Sequence, residues 1–279
     1  MGGIIWLASY PKSGNTWTRA FIHNLMLNPK EPMDINSIDA FTLGDGRKSW
    51  YEKVGGKPFD EYSPREVAAL LPKVHEAYTK AHPDSVFVKT HSLFGNVFGV
   101  PLITMEYTAG AIYIVRNPLD VVLSLSDHFG LSLDKGIDLL NHPKGVGKSE
   151  KGEGGDIDQF LGSWSGHVQS WMPFDRQYLY VMRYEDMLDK PKEVFGGLAQ
   201  FLGLNPPMER LTKAIEFSSF KTLRRQEDEK GFVEQSNKNE KFFRVGKSGQ
   251  WKEMLSKKQV DKIVKCHYQT MKQFGYLPD

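Results

Sequence analysis

The segment Tyr10-Pro11-Lys12-Ser13-Gly14-Asn15-Thr16-Trp17 constrains this chain more than any other. It follows the apolar run Ile4-Ile5-Trp6-Leu7-Ala8 and leads into a helical pattern over residues 15–27. A strand that passes through a short loop into a helix points several backbone N–H groups at one spot, and the helix dipole adds positive partial charge there. A lysine on the same loop contributes a full charge, so the segment reads as an anion cradle. It is not the nucleotide P-loop. GxxxxGK[ST] is absent, and the lysine precedes the single glycine of the loop.

The alternation of strand and helix continues along the chain. Val86 to Lys89 reads as a short strand ending at Thr90-His91, Ala111 to Val115 as a strand ending at Arg116-Asn117-Pro118, and Tyr178 to Arg183 as a strand followed by Tyr184. After Arg116 a helix follows, with Val121, Val122, Leu125 and Phe129 on one face. Ser63-Pro64-Arg65-Glu66 is a capping box with proline at the first helical position, which predicts a helix to about Ala81. Ser256 to Gln259 repeats the box and predicts a final helix to about Phe274. The Gly- and Pro-rich stretch 28–62 reads as irregular, 141–156 as a surface loop (connector or lid), and 157–172 as a helix. The pattern predicts an α/β fold: one domain over residues 1–279, a central, mainly parallel sheet flanked by helices, and residues 253–279 forming the C-terminal helix. Ligands of such sheets bind beyond the carboxyl ends of the strands, where Lys12, His91 and Arg116 all fall.

Composition narrows the partners. A net charge of only +2 argues against a nucleic-acid partner, which calls for a strongly basic face. No apolar run approaches the ~20 residues that span a bilayer, so no membrane partner is expected. The single cysteine, Cys266, rules out a disulfide framework within the chain, fits a reducing, cytoplasmic location, and reads as a half-buried helix residue. Neither HExxH nor an EF-hand pattern is present, and no metal is expected.

Lys12, Ser13, Asn15 and Thr16 together suit a phosphate or sulfate group. Trp17 can either stack on a base or pack the helix onto the sheet. Arg116 at a strand end and Ser124 two turns into the next helix can hold a second anion, and Arg244-Val245-Gly246-Lys247-Ser248-Gly249 is a further basic, glycine-containing loop. A phosphotransferase using Mg-ATP would require Mg²⁺ ligands such as a strand-end aspartate, and the strands read here end in Lys89-Thr90-His91, Arg116 and Arg183. A non-catalytic nucleotide-binding protein of the same fold is a third reading.

Together these segments resemble the sulfotransferases that use 3′-phosphoadenosine-5′-phosphosulfate (PAPS) and release 3′-phosphoadenosine-5′-phosphate (PAP). YPKSGNTW is similar to that family's 5′-phosphosulfate loop, Tyr113 to Ser124 (YIVRNPLDVVLS) to its 3′-phosphate motif, and Arg244 to Trp251 (RVGKSGQW) to its RKGxxGDW, in the family's order over residues 3–252. The resemblance implies that Lys12, Ser13, Gly14, Asn15 and Thr16 hold the phosphosulfate. It implies that Trp17 and Phe220 sandwich the adenine, with Ser218 and Tyr184 at its edge, and that Arg116, Ser124, Arg244 and Gly246 hold the 3′-phosphate. Lys89-Thr90-His91 matches the family's KTH, which makes His91 the base, places Lys89 beside the sulfuryl group, sets Lys12 at the leaving phosphate, and lets Ser124 restrain Lys12. The expected reaction is in-line transfer to a small, hydrophobic phenol or alcohol.

Two departures stand out. Val245 replaces a frequent lysine, which weakens the 3′-phosphate site unless Lys247 substitutes, and Gln250 replaces an aspartate. Lys252, Ser256, Lys257 and Asp261 only faintly echo the KxxxTVxxxE dimer motif of some members, so no homodimer is inferred.

Overall fold

The computed structural model describes residues 2–82, 84–148, 157–235 and 241–278. Five parallel strands form the central sheet: β1 (Ile4–Ser9), β2 (Thr42–Gly44), β3 (Val86–Thr90), β4 (Thr108–Val115) and β5 (Leu179–Arg183), in the order β2-β3-β1-β4-β5. β1 lies at the centre because it is apolar on both faces. Ile4, Trp6 and Ala8 enter the larger core, while Leu7 faces the other side among Phe21, Ile22 and Leu25. Those three belong to helix α1 (Asn15–Leu27), so the helix that leaves the anion loop folds straight back onto its own strand.

The helices that matter for the site and its frame are α2 (Pro64–Ala81), α3 (Pro118–Phe129), α4 (Leu133–Asn141), α5 (Trp164–Trp171), α6 (Phe220–Lys230) and α7 (Lys257–Phe274), and further helices run over Pro191–Phe201 and Met208–Phe217. Both capping boxes form: Ser63 and Glu66 exchange bonds at the start of α2, and Ser256 and Gln259 at the start of α7. Helix α7 is pinned by His267, whose Nδ1 lies 2.8 Å from Ser165 Oγ on α5 and whose Nε2 lies 2.9 Å from Asn141 Oδ1 on α4.

Three expectations change. The stretch 28–62 is not wholly irregular, because it supplies edge strand β2 and a helix at Lys48–Gly55. The helix expected over 157–172 begins only at Trp164. Before it, Gln159–Phe160 pairs antiparallel with Val146–Gly147, and the Ser163 hydroxyl then accepts from Gly166 N to start the helix. Helix α4 occupies residues that carried no expectation. Cys266 is exposed, because it lies on the solvent side of α7. The lid reading of residues 141–156 falls for half its length on residues 149–156, outside the described residues. Among the described residues no helix is long and apolar enough to cross a membrane.

Candidate active site

A cleft of about 860 Å³ opens at the carboxyl end of the sheet. Each strand delivers a residue to its lining: Lys12 follows β1, Asp45 follows β2, Lys89 and His91 mark the end of β3, Arg116 follows β4, and Tyr184 follows β5. Asp45 is a strand-end aspartate that the sequence reading missed along with β2. Its carboxylate accepts from Gln159 Nε2 at 2.6 Å.

The anion loop turns tightly because Lys12 (φ 66°) and Gly14 (φ 108°) both adopt left-handed backbone. Gly14 is required twice, since a Cβ there would also stand 2.9 Å from the Tyr184 ring. Asn15 ties the loop to β1 through Nδ2, which donates to Leu7 O at 2.8 Å. Lys12 carries its ammonium inward, 3.9 Å from the centre of the Phe242 ring, and among the described residues its Nζ has no hydrogen-bond partner. Burial lowers its pKa to about 7; Arg116 and Lys89 push the same way and Glu234 opposes them. The Ser13 hydroxyl is likewise buried without a partner.

Arg116 is held rather than loose. Its Nη1 donates to Lys12 O at 2.9 Å and its guanidinium lies 4.2 Å from the Tyr184 ring centre, while Nε stays buried and unpartnered. Arg244, Gly246 and Ser124 line the same cleft. Gly246 (φ 65°) lies so close to Phe220 that a Cβ would stand 2.2 Å from the ring. Trp17 and Phe220 both line the cleft, and Trp17 meets Tyr184 edge-on at 5.7 Å.

His91 Nδ1 lies 2.8 Å from Ser9 O. A carbonyl oxygen only accepts, so Nδ1 carries the hydrogen and Nε2 keeps its lone pair. Burial, reinforced by Lys89, lowers the His91 pKa to about 3, which leaves the ring neutral at neutral pH. Behind it, His167 Nε2 contacts His91 O at 3.0 Å and His167 Nδ1 contacts the Tyr113 hydroxyl at 2.8 Å.

Of the residues singled out by sequence, Lys12, Gly14, Asn15, Thr16, Trp17, Lys89, His91, Arg116, Ser124, Tyr184, Phe220, Arg244 and Gly246 line this cleft. Ser13 and Ser218 are not in its lining. The Ser218 hydroxyl is fully buried and donates to Ala214 O at 2.8 Å within its own helix end. Lys247 is exposed and contributes its carbonyl to Arg116, not its ammonium to the cleft. His128, undecided from sequence, lines the cleft beside Phe129.

Besides Asp45, three further participants escaped the sequence. Asp120 accepts from Gly249 N at 2.6 Å and Trp251 N at 3.1 Å, fixing the RVGKSGQW loop onto α3. Glu234 accepts from Thr16, Arg19 and Lys89. Phe242 covers Lys12. Asp120 had a readable signal, a carboxylate inside the first turn of the helix after Arg116. Glu234 and Phe242 had none, because their partners lie far away in the sequence.

A parallel sheet that gathers Lys12, Lys89, Arg116, Arg244 and a histidine at its carboxyl edge suits an anionic ligand. The family model for the sulfotransferase domain matches residues 4–275, and the chain belongs to that family of PAPS-dependent sulfotransferases. It is 24% identical over 278 residues to the 3-beta-hydroxysteroid sulfotransferase of Cavia porcellus, covering 97% of this chain and 83% of that one. It is 27% identical over 282 residues to sulfotransferase 1 family member D1 of Mus musculus, covering 96% and 83%. Among solved structures, mouse sulfotransferase SULT7A1 complexed with PAP superposes with a TM-score of 0.63 at 20% identity, covering 96% of this chain and 84% of that one. Retinol dehydratase in complex with androsterone and inactive cofactor PAP superposes with a TM-score of 0.66 at 18% identity, covering 96% and 80%.

Proposed function

We propose that this enzyme moves the sulfuryl group of PAPS onto the hydroxyl of a small, hydrophobic phenol or alcohol, with His91 as general base, and that it works in the cytoplasm. The observation that carries the reading is the convergence of buried, under-satisfied cations (Lys12 Nζ and Arg116 Nε) with neutral His91 in one cleft. Such groups are costly to keep unless a ligand completes them. Phe129, Leu161 and Phe242 give the cleft an apolar side suited to a ring-bearing acceptor. Androsterone and retinol, the small molecules in complex with retinol dehydratase, are of that kind.

In this reading Lys12 to Thr16 bind the phosphosulfate, and Trp17 and Phe220 take the adenine. Arg116, Ser124, Arg244 and the Gly246 backbone take the 3′-phosphate, and Lys89 lies beside the sulfuryl group. Bound PAPS supplies the transferable sulfuryl group and a leaving phosphate. His91 Nε2 accepts the acceptor's proton as the hydroxyl attacks, and Lys12 holds the charge that collects on the leaving phosphate. Ser124 restrains Lys12 until the acceptor is present.

The test is calorimetric titration with PAP, ADP and Mg-ATP, followed by an acceptor screen with labelled PAPS. Selective, metal-independent PAP binding is the expected result, whereas equal or tighter Mg-ATP binding would overturn the reading in favour of a phosphotransferase. Arg116→Ala removes a charge-assisted contact of ~1.5–3 kcal/mol and should weaken PAP by roughly 10- to 150-fold, leaving adenosine affinity unchanged. Gly246→Ala should weaken every adenine ligand, PAP and adenosine alike, by about 10- to 100-fold. Its methyl displaces the Phe220 ring and its backbone is strained, and stacking on an aromatic is itself worth ~1–3 kcal/mol.

A further inference from the structure

Glu234 sits among the groups that the sulfotransferase reading assigns to the phosphosulfate. One carboxylate oxygen accepts from Arg19 Nη1 at 2.6 Å and Lys89 Nζ at 3.1 Å, and the other accepts from Thr16 Oγ1 at 3.1 Å. Thr16 belongs to the anion loop, Lys89 to the end of β3, and Arg19 to α1, where its side chain is fully buried. Two cations and a hydroxyl, drawn from the start of α1 and the end of β3, are what a sulfuryl or phosphoryl oxyanion requires, and a carboxylate meets the same donors with the same charge-assisted bonds.

The surroundings allow the carboxylate to leave. Arg19 keeps a second counter-ion, Asp39 at 2.5 Å, and its Nε donates to Thr42 Oγ1 at 2.8 Å, so it stays paired without Glu234. The backbone beside Glu234 is seated elsewhere: Val233 N donates to Asn36 Oδ1 at 2.9 Å, and Phe232 packs with Ile35, Ile38 and Leu223. From that platform the Glu234 carboxylate reaches into the cleft, and it adds negative charge where the co-substrate brings more.

We infer that Glu234 is an internal mimic of the co-substrate's terminal anion. Its carboxylate fills the Thr16–Arg19–Lys89 subsite in the empty enzyme, and PAPS binds by displacing it. The inference rests on the sulfotransferase reading and adds two things to it: Arg19 becomes a ligand of the sulfuryl group, and Glu234 sets the affinity for co-substrate. Carboxylate and sulfuryl group cannot share the donors, so the apparent dissociation constant is the intrinsic one divided by the fraction of molecules whose subsite is vacant.

The test is calorimetric titration of wild type, Glu234→Gln and Glu234→Ala with PAPS and with adenosine 3′-phosphate, which lacks any 5′ anion. Both variants should bind PAPS at least about tenfold tighter, as expected if Glu234 fills the subsite nine-tenths of the time. Adenosine 3′-phosphate should bind all three proteins equally. Unchanged or weaker PAPS binding by the variants overturns the inference, and so does an equal gain for adenosine 3′-phosphate, which would mark a general charge effect. Should neither variant fold, amide exchange of wild type over Val233 to Gln235 decides. PAPS must raise exchange where adenosine 3′-phosphate does not, and unchanged or lower exchange with PAPS overturns the inference. If wild type and variants all fail to bind PAPS, the sulfotransferase reading falls and takes the inference with it, whereas binding without a gain sinks the inference alone.

Discussion

His91→Ala should lower turnover by roughly 10²- to 10⁴-fold while leaving PAP affinity within a few-fold, the range expected when a positioned general base is removed. The geometry makes the expectation specific. Ser9 O fixes the proton on Nδ1, so the lone pair is left on Nε2. Burial and Lys89 hold the ring neutral down to about pH 3. A base works in its deprotonated form, so kcat/KM should show no acid limb near ~6.5, where an unperturbed histidine would place one. A limb at that pH would mean that His91 titrates freely and is not the buried base described here. The profile has a lower bound set by folding. His75, His91, His167 and His267 all have pKa values pushed down to about 3 or 4 by burial. Below the ordinary histidine value the unfolded chain binds protons that the native state refuses. Stability is therefore fully present above pH ~6.5 and is lost as pH falls toward those folded values, at up to ~1.4 kcal/mol per pH unit for each histidine. Reading the profile between about pH 5.5 and 8 keeps chemistry apart from unfolding.

What was legible in the sequence was local. The strand, loop and helix of residues 4–27 form a continuous segment whose glycine, proline and apolar spacing dictate the turn, and the two capping boxes start α2 and α7 where they should. The carboxyl-edge rule then placed Lys12, His91 and Arg116 together without any knowledge of contacts. Elements that depend on distant partners were not legible. β2 has three residues, ends in glycine, and exists because β3 pairs with it. Phe160 pairs with Val146, which shortened the helix expected over 157–172. Glu234 meets Thr16 and Arg19 across more than 200 residues, and no local pattern encodes such a meeting. Ser218 entered through family resemblance alone, and its hydroxyl is spent on its own helix end.

Lys12→Met should abolish transfer and at the same time raise the melting temperature. The two effects have one cause. The Lys12 ammonium is buried with no hydrogen-bond partner among the described residues, and burial lowers its pKa from 10.5 to about 7. A base whose folded pKa lies below its unfolded value destabilises the native state at low pH and stops doing so as pH rises through the interval between the two. Methionine fills the same volume over Phe242 without a charge, so it should stabilise the fold by about 1–3 kcal/mol at pH 7, which is several degrees in melting temperature. Co-substrate reverses the balance, because an anion at the loop restores the ammonium. Binding therefore takes up a proton when Lys12 starts neutral. PAP affinity should be flat below about pH 6 and fall about tenfold per pH unit above 7, with proton uptake visible as a dependence of binding enthalpy on buffer ionisation enthalpy. Lys12→Met should bind PAP weakly, with no such pH dependence. Constant wild-type affinity from pH 6 to 9 would show that Lys12 stays charged in the empty cleft, and a variant no more stable than wild type would show that its burial carries no penalty. The pairing of the two effects is the discriminating feature: a lysine kept only for structure would lose stability on substitution, whereas one kept for a ligand gains stability and loses function.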